Sequence, residues 1–227
     1  MNLRERWAPA VDAARAILTE LGIRGPDDLR KLDLICAEKR AYVFWRDLAG
    51  NEEGHLLHSG RSSIIHVRAS LRGTPKGRFV TAHEFAHHLL HADVDHYALL
   101  CTSESVAASG SRFRIERHAS DFGSELVVPT PFARSMCTRA ATLDDVLAIA
   151  TRFDVSFTVA ALRFLDMSDA PCAFIELKAG LVKRGSATPS YRGEAKRGHA
   201  LVVPEDARAW TLPVEGTDVT LTWVSQG

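Results

Sequence analysis

Residues 78–91 read Arg78-Phe79-Val80-Thr81-Ala82-His83-Glu84-Phe85-Ala86-His87-His88-Leu89-Leu90-His91. Phe79, Ala82, Ala86, Leu89 and Leu90 recur at helical spacing, so a helix is predicted here. Inside it lies His83-Glu84-x-x-His87. Residues four apart on a helix share a face and stand one turn apart, so the two imidazoles can aim at one point. Glu84 sits beside the first histidine, where a general base for metal-assisted hydrolysis belongs.

Two histidines do not complete a catalytic zinc site, which takes three protein ligands. A metzincin would place Gly at position 90 and His at position 93, where this chain has Leu90 and Asp93. His91 shares the face, but its Cα lies about 12 Å along the helix from that of His83, too far for one ion. It reads as a brace on a ligand, a surface residue or a helix C-terminal histidine. The better third ligand is Glu116, on a helix predicted over 112–128 and on the same side as Ala119 and Gly123. Small side chains there allow two helices to approach closely. From the residues alone, an ordinary exposed glutamate is the competing reading.

Working outward, helices are predicted over 9–21 and 27–37, and strands over 41–45, 55–57 and 63–69. A loop of about twenty residues over 92–111 separates the two central helices, a length that often carries function. Two more helices follow. Thr142 with Asp145 forms a capping box for the first, and Ser156 caps the second, which runs to Met167. Past Pro171, β-like runs appear at 172–177, 199–203 and 219–224. The expected fold is α+β, with the domain over 1–138, a helix-turn-helix-like segment over 139–170 and a small β-rich region over 171–227.

Composition is that of an ordinary globular chain: 227 residues, 46% hydrophobic and 25% charged. With 28 basic and 28 acidic residues, net charge gives no pull towards nucleic acid or anionic membranes. Cys36, Cys101, Cys137 and Cys172 show no paired spacing and read as reduced thiols. The N-terminus lacks the apolar core of a signal peptide, and no apolar run is long enough to span a bilayer. A cytoplasmic protein is expected, and no motif specifies an oligomeric state.

The stretch 78–91 resembles the signature of the ImmA/IrrE metallopeptidases of bacteria and phages. A second segment, from Glu116 through Ala119 and Phe122 to Glu125-Leu126-Val127-Val128-Pro129, is similar to that family's E-x-x-A-N-x-F-A-A-x-L-L-x-P helix. Phe153-Asp154-Val155-Ser156 and Arg163 resemble the helix-turn-helix-like piece after it. The resemblance implies a zincin-like peptidase domain with a small antiparallel sheet beside the His83-Glu84-x-x-His87 helix. It implies His83, His87 and Glu116 as metal ligands and Glu84 as general base. Zinc suits that donor set, and manganese and iron also accept it. The family usually carries Asn or Asp four residues after its ligand Glu, to brace a ligand histidine; here that residue is Ser120, with Asp121 or Asp93 as substitutes. Candidates for a second donor to a developing oxyanion are His88, His91, Tyr97 and His118. Ile64, Ile65, His66 and Val67 form the strand expected to pair with an extended peptide.

The resemblance also implies a substrate: a helix-turn-helix transcriptional repressor, cleaved to relieve repression in a stress response or a mobile element. One competing reading is a DNA-binding module. The segment 156–167 argues against direct DNA contact, because Arg163 is its only basic residue among Phe157, Val159, Leu162 and Phe164. Another is a catalytically silent regulatory partner. Retention of Glu84 argues against that, since holding a metal needs only the ligands.

Overall fold

The computed structural model describes residues 8–91, 99–102 and 111–226, and these fall into two units divided at Pro129 and Thr130. The first holds 6–129 with 153–155. Its helices are α1 (Ala8–Glu20), α2 (Leu32–Glu38), α3 (Pro75–Leu90) and α4 (Ser111–Val127). Its strands are β1 (Ala41–Arg46), β2 (Glu52–Ser59), β3 (Ser62–Arg68) and β4 (Leu99–Thr102).

The four strands form one sheet in the order β1-β3-β2-β4. β2 runs antiparallel to both β3 and β4, but β1 and β3 are parallel. The sheet is therefore mixed, a correction to the antiparallel sheet expected. The cause is the connection: β1 and β2 run in opposite directions with one strand's width between them, and the hairpin at Gly60 returns β3 into that gap. Gly60 takes φ 59°, a left-handed turn conformation that glycine adopts without strain. β4 lies inside the stretch expected to be a loop.

α3 is a buried helix. Thr74 caps it, accepting the Gly77 N–H at 3.0 Å, and Pro75 opens the first turn. From Val80 to His88 every residue is buried, because β2 and β3 cover one side of the helix and α4 the other. Gly54 on β2 and Gly123 on α4 make this possible. A Cβ at Gly123 would lie 3.2 Å from the His83 backbone nitrogen, so α4 comes within backbone contact of α3. Phe85 and Phe122 seal the layer, edge to face at 5.9 Å and both fully buried. Alternation along β3 turns Ser63, Ile65 and Val67 to the core and leaves Ile64 outward with Tyr42, Phe44 and Leu57.

The second unit contains α5 (Thr130–Ala133), the bulk of α6 (Leu143–Phe153), α7 (Phe157–Met167) and strands β5 (Cys172–Lys178), β6 (Leu181–Ala187), β7 (Ala207–Pro213) and β8 (Val219–Gln226). The strands form an antiparallel sheet in the order β6-β5-β8-β7. One face packs Ala173, Ile175, Val182 and Val224 around Tyr191. On the other, Phe164 of α7 meets Trp223 edge to face at 5.2 Å, and the indole N–H donates to the Ala141 carbonyl at 2.7 Å. Both expected caps form: the Asp145 carboxylate accepts the Thr142 N–H at 2.8 Å, and the Ser156 hydroxyl accepts the Val159 N–H at 3.3 Å.

The run 199–203 is not a strand. It makes only bridges, Ala200 to Leu181 and Val202 to Glu194. Gly198 donates to the Val182 carbonyl at 2.8 Å and Val182 donates to that of His199 at 2.9 Å, so this loop lies along β6. Arg163 is fully buried in α7, donating to Asp166 at 3.1 Å and to Thr130 at 2.9 Å. Among the described residues, no helix is long and apolar enough to cross a membrane.

Candidate metal centre

α3 presents His83 and His87 on one face, one turn apart, and α4 crosses that face with Glu116. His83 Nε2 lies 3.0 Å from Glu116 Oε2 and 3.2 Å from His87 Nε2, and His87 Nε2 lies 3.8 Å from Glu116 Oε2. All three side chains are buried, with Glu116 1% exposed. Ligands at about 2.0–2.1 Å around a tetrahedral ion stand about 3.3 Å from one another. The three observed separations bracket that value. Two imidazoles and a carboxylate are a donor set that zinc takes, and the group could hold a metal ion.

The electrostatics favour the ligand forms. Burial pushes the His87 imidazole below its ordinary value, with the hydrogen bond to Glu116 working the other way. Burial pushes the Glu116 carboxyl up, but hydrogen bonds and charge from His83 and His87 outweigh it and hold the group below the usual carboxylate range. Neutral imidazole and ionised carboxylate are the forms that bind metal.

Each of the two histidines has a partner at its other nitrogen. The Ser120 hydroxyl lies 3.3 Å from His83 Nδ1, so the position where the resemblance puts Asn or Asp still reaches the ring. His91 Nδ1 lies 3.0 Å from His87 Nδ1. Burial, then the neighbouring His87 and His118, push His91 down to about 4.

Glu84 is fully buried beneath β2. A Cβ at Gly54 would lie 2.7 Å from Val80 Cγ1 and 3.1 Å from Glu84 Oε1, so the glycine makes the space that the carboxylate occupies.

The remaining candidates separate. His88 looks away from His83, His87 and Glu116: its Nε2 lies 2.8 Å from the Lys39 carbonyl and its Nδ1 2.8 Å from Ser63 Oγ. His118 stacks on His91 with centroids 6.3 Å apart. Asp121 is buried in α4, and its charge acts on His118. Asp93 and Tyr97 lie outside the described residues. Ile64, Ile65, His66 and Val67 belong to β3, whose two edges are both occupied, by β1 and β2. A peptide cannot add to a strand that is already paired on both sides, which corrects the expectation of a substrate-pairing strand there.

Sequence reading passed over Gly54, which carries no local signal because its contact is made with α3, about thirty residues along the chain. The tie between His87 and His91 did have a signal in its four-residue spacing.

Residues 36–165, more than half of the chain, match the model of the IrrE N-terminal-like domain, peptidase M78. No curated protein matches the chain. A solved structure of a Mycobacterium tuberculosis transcriptional regulator is similar, with a TM-score of 0.59 and 16% identity over 97% of this chain and 77% of that one. At that identity the likeness is one of fold. The match over 36–165 shows that the chain belongs to the peptidase M78 family of IrrE N-terminal-like domains.

Proposed function

We propose that this protein is a zinc-dependent, site-specific endopeptidase with a zincin-like catalytic unit. The observation that carries the reading is the spacing of His83 Nε2, His87 Nε2 and Glu116 Oε2, which suits one tetrahedral ion. Zinc bound there supplies Lewis-acid chemistry, making water more acidic and polarising a peptide carbonyl.

The chain's own residues do the rest. Burial favours the neutral form of His87 and the two histidines favour the ionised form of Glu116, so these two groups are in their ligand forms before substrate arrives. Glu84, adjacent to His83, takes the proton from the attacking water and passes it to the leaving amine. The narrow space under Gly54 holds that carboxylate in one place. With both edges of β3 closed, an extended substrate adds instead to β4, the strand beyond β2, which pairs with no further strand among the described residues.

The proposed substrate is a helix-turn-helix transcriptional repressor, cut to relieve repression. Support comes from the ImmA/IrrE resemblance of the two metal-site segments, and a transcriptional regulator shares the fold. The test is incubation of the metal-loaded protein with the repressor encoded beside its gene, read by mass spectrometry. One discrete cut is expected, absent with chelator and at least about 10²-fold slower in Glu84→Gln. Cleavage undiminished in Glu84→Gln would refute the mechanism. A tightly held ion without cleavage of any repressor would favour a silent regulatory partner.

A further inference from the structure

A histidine that binds metal through one ring nitrogen must carry its proton on the other. His87 turns Nε2 towards His83 and Glu116, so its proton belongs on Nδ1. That Nδ1 lies 3.0 Å from His91 Nδ1, and two ring nitrogens at that distance share one proton between them. If His87 donates, His91 Nδ1 is bare and the proton of His91 sits on its Nε2.

We propose that His91 is a positioning residue for the metal ligand His87, accepting its Nδ1–H and so holding the plane of the ring. The proposal rests on the metal-site reading. His91 caps the C-terminus of α3: its backbone N–H donates to the His87 carbonyl at 3.1 Å while φ −131° takes it out of the helix. The side chain thus returns over the preceding turn, with its ring centroid 5.1 Å from that of His87. On α4, His118 lies nearly parallel to the ring, at 20°. His91 Nε2 is buried and makes no hydrogen bond among the described residues, so nothing there draws the ring away from His87.

The two ligand histidines are held differently. His83 has a hydroxyl at its outer nitrogen, and a hydroxyl both donates and accepts, so Ser120 alone does not choose a tautomer. A neutral imidazole likewise donates or accepts at Nδ1 according to its tautomer, so His91 becomes the acceptor once His87 Nε2 is given to a metal and the His87 proton stays on Nδ1; its own Cα is too far along the helix for it to join the ion.

The experiment is zinc titration of the full, metal-free chain against a chromophoric chelator, for wild type, His91→Phe and His91→Gln. Phenylalanine keeps a ring beside His118 and removes the acceptor; glutamine keeps an acceptor. The expected result is zinc affinity about 10–100-fold weaker in His91→Phe and largely restored in His91→Gln. Proton–nitrogen NMR of the zinc-loaded protein should show a slowly exchanging His87 Nδ1–H in wild type and His91→Gln, lost in His91→Phe. Wild-type affinity in His91→Phe overturns the proposal. So does loss in both variants, which would make His91 a packing residue or a ligand. Should His91→Phe not fold, the His87 Nδ1–H signal in His91→Gln decides alone, retained for and absent against. Wild-type protein that takes no zinc would remove the metal reading itself, and this proposal with it.

Discussion

Single atoms set the chemistry at this site. The space for Glu84 depends on the absence of one Cβ at Gly54. In Gly54→Ala the new methyl meets Val80 and Glu84, and either β2 lifts or the carboxylate moves. A shift of about 1 Å in a reacting group costs on the order of 10²-fold in rate, so kcat should fall that far while zinc content stays at one ion per chain. Steady-state kinetics with metal analysis separates the two. Burial also fixes a pH response. His87 lies below its ordinary value of 6.5 and His91 is pushed to about 4. Between those limits the unfolded chain binds more protons than the folded one, so stability falls as pH is lowered. Glu116, held below the usual carboxylate range, adds its loss only once pH drops past 4.5. The Tm of the metal-free protein should therefore decline from pH 7 to pH 5, and the zinc-loaded protein should show a steeper decline, because protons compete for the ligands. A Tm that is flat over this range would contradict neutral buried imidazoles.

At the scale of elements, the site is the contact between α3 and α4. Gly123 sets their distance, since its missing Cβ would lie 3.2 Å from the His83 nitrogen and 3.4 Å from the Ala82 carbonyl carbon. Backbone cannot yield as a side chain can. Gly123→Val should push α4 away and draw Glu116 off the histidines, weakening zinc binding by about tenfold or more, measured by chelator competition. The sequence made much of this legible. The His83 and His87 spacing, the small residues on the face of Glu116 and both capping motifs are local patterns, and local patterns survive folding. What it hid was non-local. β3 looked like an edge because nothing in Ser62–Arg68 says that β1 will pair parallel on its far side. β4 was lost in a segment read as loop. β6 and β7 escaped notice because Lys183, Arg184, Gly185 and Arg208 break the apolar alternation. The run 199–203 looked like a strand on composition, yet Val202 is 71% exposed and only bridges form.

At the scale of the molecule, every proposed ligand and the proposed base lie in one unit, and the other has its own core. Trp223 is fully buried on the other face of that unit's sheet, against Phe164, with its indole N–H satisfied. Trp223→Ala should cost about 3–5 kcal/mol in denaturant unfolding of that unit. Zinc affinity should remain within error of wild type; a large loss would show that the metal centre depends on the packing of the second unit. The loop along β6 bears on a different property. A strand at the rim of a sheet offers unpaired N–H and C=O groups to any passing chain, and such rims seed aggregation. Here Gly198 and His199 already occupy the groups of Val182, and Lys183 and Arg184 put charge beside them. The loop thus acts as a guard on the colloidal behaviour of the protein, closing one margin of the C-terminal sheet against recruitment into fibres.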